Sequence, residues 1–338
     1  MNLFEKKIDV SIISQYRAEL MGYGILFIML SHCFSDWMQF NVLGTLFGKF
    51  TTLIHTQGFF FLSGFGLYFS FVKNSNVIQF YNRRLLRLYL PFLIMSFPFY
   101  IYGYFIDRYS LGLYFLLQSA LDFFFVSSGR PTWYVSATIF LYIVFPYIYK
   151  LIFHNKPPMI GLALTLCIWL IIAIFLYNVN IAYYRQIDRL VAKFPMFILG
   201  TYAGYMAKNQ KYIKLWAVIP LCFLLVSIVI ANKFNNDFTM YYKDIIALFG
   251  LIGIAYLLKF TNGCGNIGNV LKWLGTYSLE LYIFHMLIRL VMIQTFNYIG
   301  YDVSLSTQRI IAPLALILSL LICRPVHFGI DSLLARIK

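Results

Sequence analysis

Apolar runs of about twenty residues follow one another along almost the whole chain, with only short polar stretches between them. Twenty residues is what a helix needs to cross the hydrocarbon layer of a membrane. In lipid each crossing segment must satisfy its own backbone hydrogen bonds, which a helix does. The chain is 61% hydrophobic and only 12% charged, against about 45–50% and about 25% in soluble domains. A chain this apolar cannot cover its surface in water.

The fold class expected is therefore all-α, a polytopic membrane bundle of about ten spans. They are placed near residues 18–38, 50–72, 86–106, 133–153, 159–177, 187–207, 213–231, 241–260, 276–297 and 305–324. The segment 187–207 is the least regular, since Arg189, Lys193 and Pro195 interrupt it. No polar stretch is long enough to fold alone, so residues 1–338 are read as a single membrane domain. The N-terminal run carries Arg17, Glu19 and His32 and no convincing small-residue cleavage site, so it reads as a retained first helix.

Charge sets the expected orientation. If the spans alternate, one side holds Lys6, Lys7 and Arg17, then Lys73, Arg83, Arg84 and Arg87, then Lys150 and Lys156. The same side holds Lys208, Lys211 and Lys214, Lys259 and Lys272, and Arg324, Arg336 and Lys338. These are most of the 27 basic residues. By the positive-inside rule that side is the cytoplasm, with both termini in it. The net charge of +15 is thereby explained by topology, and nucleic acid is not an expected partner. The five cysteines form no CxxC pair, so neither structural disulfides nor a metal site is expected. Aromatics make up 20% of the chain, and most read as an interfacial belt.

Several ionisable groups fall inside apolar runs, where such groups are costly and mark functional sites by default. His32 lies in the first span, roughly 60° round from Arg17 and about 22 Å further along the axis. An imidazole there suits proton abstraction from a hydroxyl nucleophile; a histidine satisfied between helices is the plain alternative. In the ninth span, Ser278 and His285 share a face, with His285 a second candidate base or hydrogen-bond partner. Glu280 lies about 140° from His285, so the two do not pair simply. Near the start of that span, Glu280 contacts either a cytoplasmic ligand or the interface.

Between spans 2 and 3 stands Phe80-Tyr-Asn-Arg-Arg-Leu-Leu-Arg87. Arg84 and Arg87, with Arg83 beside them, form a cytoplasmic cluster at the membrane edge. Guanidinium forks match phosphate oxygens, which suits an anionic nucleotide donor such as coenzyme A; a topology anchor is the competing reading. The glycines of Phe59-Phe-Phe-Leu-Ser-Gly-Phe-Gly66 read as helix-packing residues, and Ser63 has no adjacent base to make it a nucleophile. Trp133 is either a belt residue or a platform for an acceptor sugar.

The order of these segments resembles the membrane acyltransferase-3 family. It runs from Arg17-x-x-x-Met-Gly to His32, then FFFLSGFGLY, FYNRRLLRLYLP, WYVSATIFLYIVFP, KFPMFILGTYAGY and LGTYSLELYIFH, within about residues 15–290. Two positions depart from the family pattern. Met21 stands where many members carry an arginine eleven residues before the histidine, and Arg17 is its nearest substitute, one turn earlier. Gln57 stands where many carry an acid before the FFFLSG run, so no role of that acid carries over.

The resemblance implies an integral O-acyltransferase of the cell membrane, in a bacterium the plasma membrane. Its donor substrate would be acetyl-CoA or another acyl-CoA, bound at Arg84 and Arg87, with no metal. The acceptor would be a hydroxyl of a cell-surface polysaccharide or other envelope glycan; from their own placement in the sequence, Arg17, Trp133, Glu280 and His285 are the residues expected to contact substrate. His32 would be the catalytic group, acting either as a base on the acceptor hydroxyl or as a covalent acyl carrier. A glycan transporter or flippase and a non-catalytic scaffold are the competing classes. No inverted repeat or matched pair of broken helices favours transport.

Overall fold

The computed structural model describes residues 7–38, 54–107, 133–214, 218–234 and 239–337. The described residues are all-α apart from one short ribbon, in which β1 (Lys7–Asp9) pairs antiparallel with β2 (Tyr212–Lys214), Ile8 opposite Ile213. The long helices in chain order are α2 (Arg17–Met38), after the single turn α1 (Ile12–Gln15), α3 (Thr56–Lys73) and α5 (Leu90–Asp107). Between the last two come α4 (Val77–Arg84) and a π-helical turn, Leu85–Tyr89. There follow α6 (Trp133–Phe153), α7 (Pro158–Val179), α8 (Ile181–Lys208), α9 (Val218–Phe234) and α10 (Thr239–Phe260). The short α11 (Asn266–Thr276) precedes α12 (Ser278–Tyr298) and α13 (Leu305–Ile337).

Each expected span meets a helix, with instructive shifts. The second starts at Thr56 rather than near 50, residues 50–53 lying outside those described. The seventh starts at Val218, because 212–214 is spent on the ribbon. The tenth runs on to Ile337, well past 324. The irregular segment 187–207 sits inside one continuous helix of 28 residues that contains Pro195. Its cation is accommodated because Lys193 donates to a carboxylate oxygen of Asp244 on α10, both side chains being buried. Among the described residues, four helices are able by length and hydropathy to cross a membrane: α6, α7, α12 and the Ser306–Arg336 part of α13. Their apolar surface is turned outward, most plainly on α7, where Ile171, Phe175 and Val179 are exposed. These features are those of a membrane protein.

Close helix crossings position the interior. A Cβ added at Gly64 on α3 would strike the Phe197 carbonyl of α8, and one at Gly200 the Phe61 carbonyl. Backbones approach this closely only where side chains are missing, which is how small residues act in membrane helix interfaces. The same device joins α2 to α11, Gly22 facing the Leu271 carbonyl and Gly275 the Ala18 carbonyl. Around these crossings the interior is largely aromatic, with Phe60, Phe65, Phe80, Phe145 and Phe197 fully buried.

Candidate active site

One end of a cavity of about 270 Å³ is walled by three guanidiniums, those of Arg17, Arg84 and Arg87. Arg17 opens α2, and its Nε donates to the Leu62 carbonyl at 3.3 Å. Arg84 ends α4 and donates from Nη2 to Ser70 Oγ at 2.6 Å, its plane lying over Phe80 and Tyr142. The π turn that follows widens the backbone spiral and carries Arg87 to the same cavity; such turns recur at functional sites. Burial, reinforced by Arg87, Arg83 and Arg17, pushes the Arg84 guanidinium below its ordinary value. Arg84 Nε is buried without a hydrogen-bond partner among the described residues. A half-exposed, mutually repelling cation cluster with an unused donor is matched by an anion bearing several oxygens.

Ser278, Glu280 and His327 also line the cavity. Glu280 is buried, and its Oε1 accepts from His327 Nδ1 at 2.6 Å. His327 Nε2 lies 3.3 Å from Asp331 Oδ2, one turn on along α13. The cavity then follows α2 from Arg17 to Ile28, roughly 16 Å at 1.5 Å per residue. It ends against Ile28, Phe59, Tyr134 and Tyr282. Tyr134 and Tyr282 meet edge to face, ring centroids 5.1 Å apart, and Tyr282 packs in the same way on His285 at 5.8 Å.

Behind this aromatic layer two helices bring two histidines together. His32 Nδ1 is 3.0 Å from His285 Nε2, and the rings stack at 5.3 Å with 14° between their planes. His285 Nδ1 is 2.7 Å from the Leu281 carbonyl of its own helix. Arg289 Nη1 donates to the His32 carbonyl at 3.0 Å and holds that turn of α2 against α12. His32 is one helical turn, about 6 Å, beyond Ile28 at the cavity's end.

The structure thus brings together Arg17, Arg84, Arg87 and Glu280 around one cavity, and His32 with His285 just behind it. Two other residues lie elsewhere. Arg83 does not line the cavity; its Nη2 donates to the Asn74 carbonyl at 3.3 Å. It precedes Arg84 by one residue, about 100° round the helix, and so faces away from its neighbour's site. Trp133 also lies outside the cavity, with the Arg189 guanidinium 5.4 Å over its ring, so that face is already occupied. The shared face inferred for Ser278 and His285 does not make them partners, since Ser278 lines the cavity and His285 stands beyond it.

Several groups escaped sequence reasoning. His327 lies beyond the expected last span, in a stretch with no apolar signal to draw attention to it. His55 stands at the N-terminal boundary of α3, without a capping hydrogen bond from its side chain, and lies close enough to His32 and Lys193 to interact electrostatically with both. Arg289 is a single cation in an apolar run, the same signal that picked out His32, and could have been found by it.

Residues 22–326 match the family model described as an acyltransferase domain. No curated protein and no solved structure matches the chain.

Proposed function

Since the chain belongs to the acyltransferase-3 family, we propose that it moves an acyl group, acetyl in the first place, from acyl-CoA to a hydroxyl of a cell-surface polysaccharide. The donor enters from the cytoplasm, and the acceptor from the other side of the membrane. The observation that carries this reading is a cavity lined both by Arg17, Arg84 and Arg87 and by the aromatic layer that rests on the His32–His285 pair.

Each part has a physical task. The arginines hold phosphate oxygens by charge-assisted hydrogen bonds, each worth about 1.5–3 kcal/mol. The cavity between Arg17 and Ile28 takes the extended thiol-bearing arm. Phe59, Tyr134 and Tyr282 close its far end and keep water from the thioester; the rings must turn aside for the thioester carbon to reach His32. His32 takes the proton of the acceptor hydroxyl, which general-base catalysis makes worth about 10²–10⁴ in rate. The same nitrogen would carry the acyl group if transfer runs through a covalent intermediate.

Purified protein, labelled acetyl-CoA and isolated envelope polysaccharide test the reading. His32→Ala is expected to abolish transfer while leaving acetyl-CoA binding intact. Arg84→Ala is expected to weaken donor binding roughly tenfold or more, the loss of one charge-assisted hydrogen bond. Full transfer by His32→Ala, or an unchanged donor affinity in Arg84→Ala, would refute the respective assignment.

A further inference from the structure

We propose that His285 is a positioning residue that fixes which nitrogen of His32 reacts. The inference rests on the reading of His32 as the reacting group and adds to it the atom and the means of its selection.

The chain of hydrogen bonds allows one assignment of protons. A carbonyl oxygen only accepts, so His285 Nδ1, 2.7 Å from the Leu281 carbonyl, carries the hydrogen. A neutral imidazole has one N–H, which leaves the lone pair of His285 on Nε2. That atom is 3.0 Å from His32 Nδ1, so His32 Nδ1 is the donor. The lone pair of His32 is then on Nε2. The i−4 carbonyl belongs to the same helix as His285 and is fixed by the backbone, so the order is imposed from Leu281 outward. The three-member logic is that of a base oriented by a second group, which a third holds in place.

The arrangement also serves the charged state. Nε2 of His32 takes the proton as the acceptor oxygen bonds to the thioester carbon. The carbon–sulfur bond breaks and sulfur leaves with the electron pair. The proton on Nε2 then passes to that sulfur, giving free thiol and restoring neutral His32. Throughout, Nδ1–H of His32 stays directed at His285 Nε2, a neutral acceptor that steadies the imidazolium.

The test compares His285→Gln, whose amide oxygen can accept from His32 Nδ1–H, with His285→Leu, which cannot. Each protein is labelled with ¹⁵N-histidine in detergent, and the His32 signals are identified by their loss in His32→Gln. The wild type and His285→Gln are expected to show His32 protonated at Nδ1, and His285→Leu to show protonation moved to Nε2. Hydrolysis of acetyl-CoA, with water as the acceptor, should fall about 100-fold in kcat for His285→Leu, the lower end of what a placed base contributes. It should stay within about tenfold of wild type for His285→Gln, with KM for acetyl-CoA unchanged in both. A His32 that keeps its proton on Nδ1 in His285→Leu, or equal kcat in the two variants, overturns the proposal. The tautomer readout needs no turnover, so it stands apart from a failure of His32 as the reacting group, which full hydrolysis by His32→Ala would reveal.

Discussion

Gly66 leaves room for Arg17: a Cβ at residue 66 would stand 2.8 Å from Nη2 and 3.0 Å from Cζ of that guanidinium. The two glycines of the LSGFG segment therefore have different duties. Gly64 lets α8 approach α3, whereas Gly66 seats a cation at the cavity wall. Gly66→Ala is expected to raise KM for acyl-CoA roughly tenfold, about one charge-assisted hydrogen bond, with little change in Tm. Gly64→Ala, which strikes backbone, should lower Tm. Donor titration and thermal unfolding of both variants in detergent would separate the two, and a shared phenotype would refute the division.

Glu280 depends on His327 for its hydrogen bond inside the cavity. Removing the imidazole leaves a buried acceptor short of a donor, a cost of about 1–3 kcal/mol. His327→Ala should therefore lower Tm, and the double variant with Glu280→Gln should recover part of the loss. If the single and double variants unfold alike, the pair contributes nothing to holding α12 against α13.

Lys193 and Asp244 form a buried ion pair between α8 and α10. Breaking one side strands a charge, at about 3–5 kcal/mol, while replacing both with apolar groups is often neutral. Lys193→Met alone should reduce the amount of folded protein sharply, and Lys193→Met with Asp244→Leu should restore most of it. Size-exclusion profiles of the three proteins provide the measurement; a double variant as poor as the single one would contradict this.

The β1–β2 ribbon requires residues 7–9 and 212–214 to lie on one side of the membrane. The orientation proposed from the distribution of Lys and Arg makes that side the cytoplasm. Cysteines introduced at Lys7 and Lys211 in a cysteine-free background should resist a membrane-impermeant maleimide in intact cells and react after permeabilisation. Labelling of either in intact cells would invert the proposed orientation.

What could be seen in the sequence was what one helix carries by itself. Arg17, Arg84, Arg87, His32 and Glu280 are charged or titratable groups in or beside apolar runs, and that alone singles them out as candidates. Helical phase also excluded a simple Glu280–His285 pair, and the structure gives each another partner: His327 for Glu280, His32 for His285. The partners themselves were not legible. His32 and His285 are 253 residues apart, and Glu280 and His327 are separated by 47, across helices whose relative rotation depends on packing. The π turn before Arg87 was hidden for a related reason, since a one-residue widening leaves no mark in hydropathy. Span ends moved where tertiary pairing claimed residues, as Tyr212–Lys214 did for the ribbon.

That ribbon also fixes an order of assembly. Its first strand is synthesised ahead of α2, but its mate only after α8. Until then the segment ahead of α2 has nothing to pair with, and closing so long a loop carries an entropic cost that grows only slowly with length. The arginine end of α2 is thus clasped late, by a clip that joins the segment ahead of α2 to the one that follows α8.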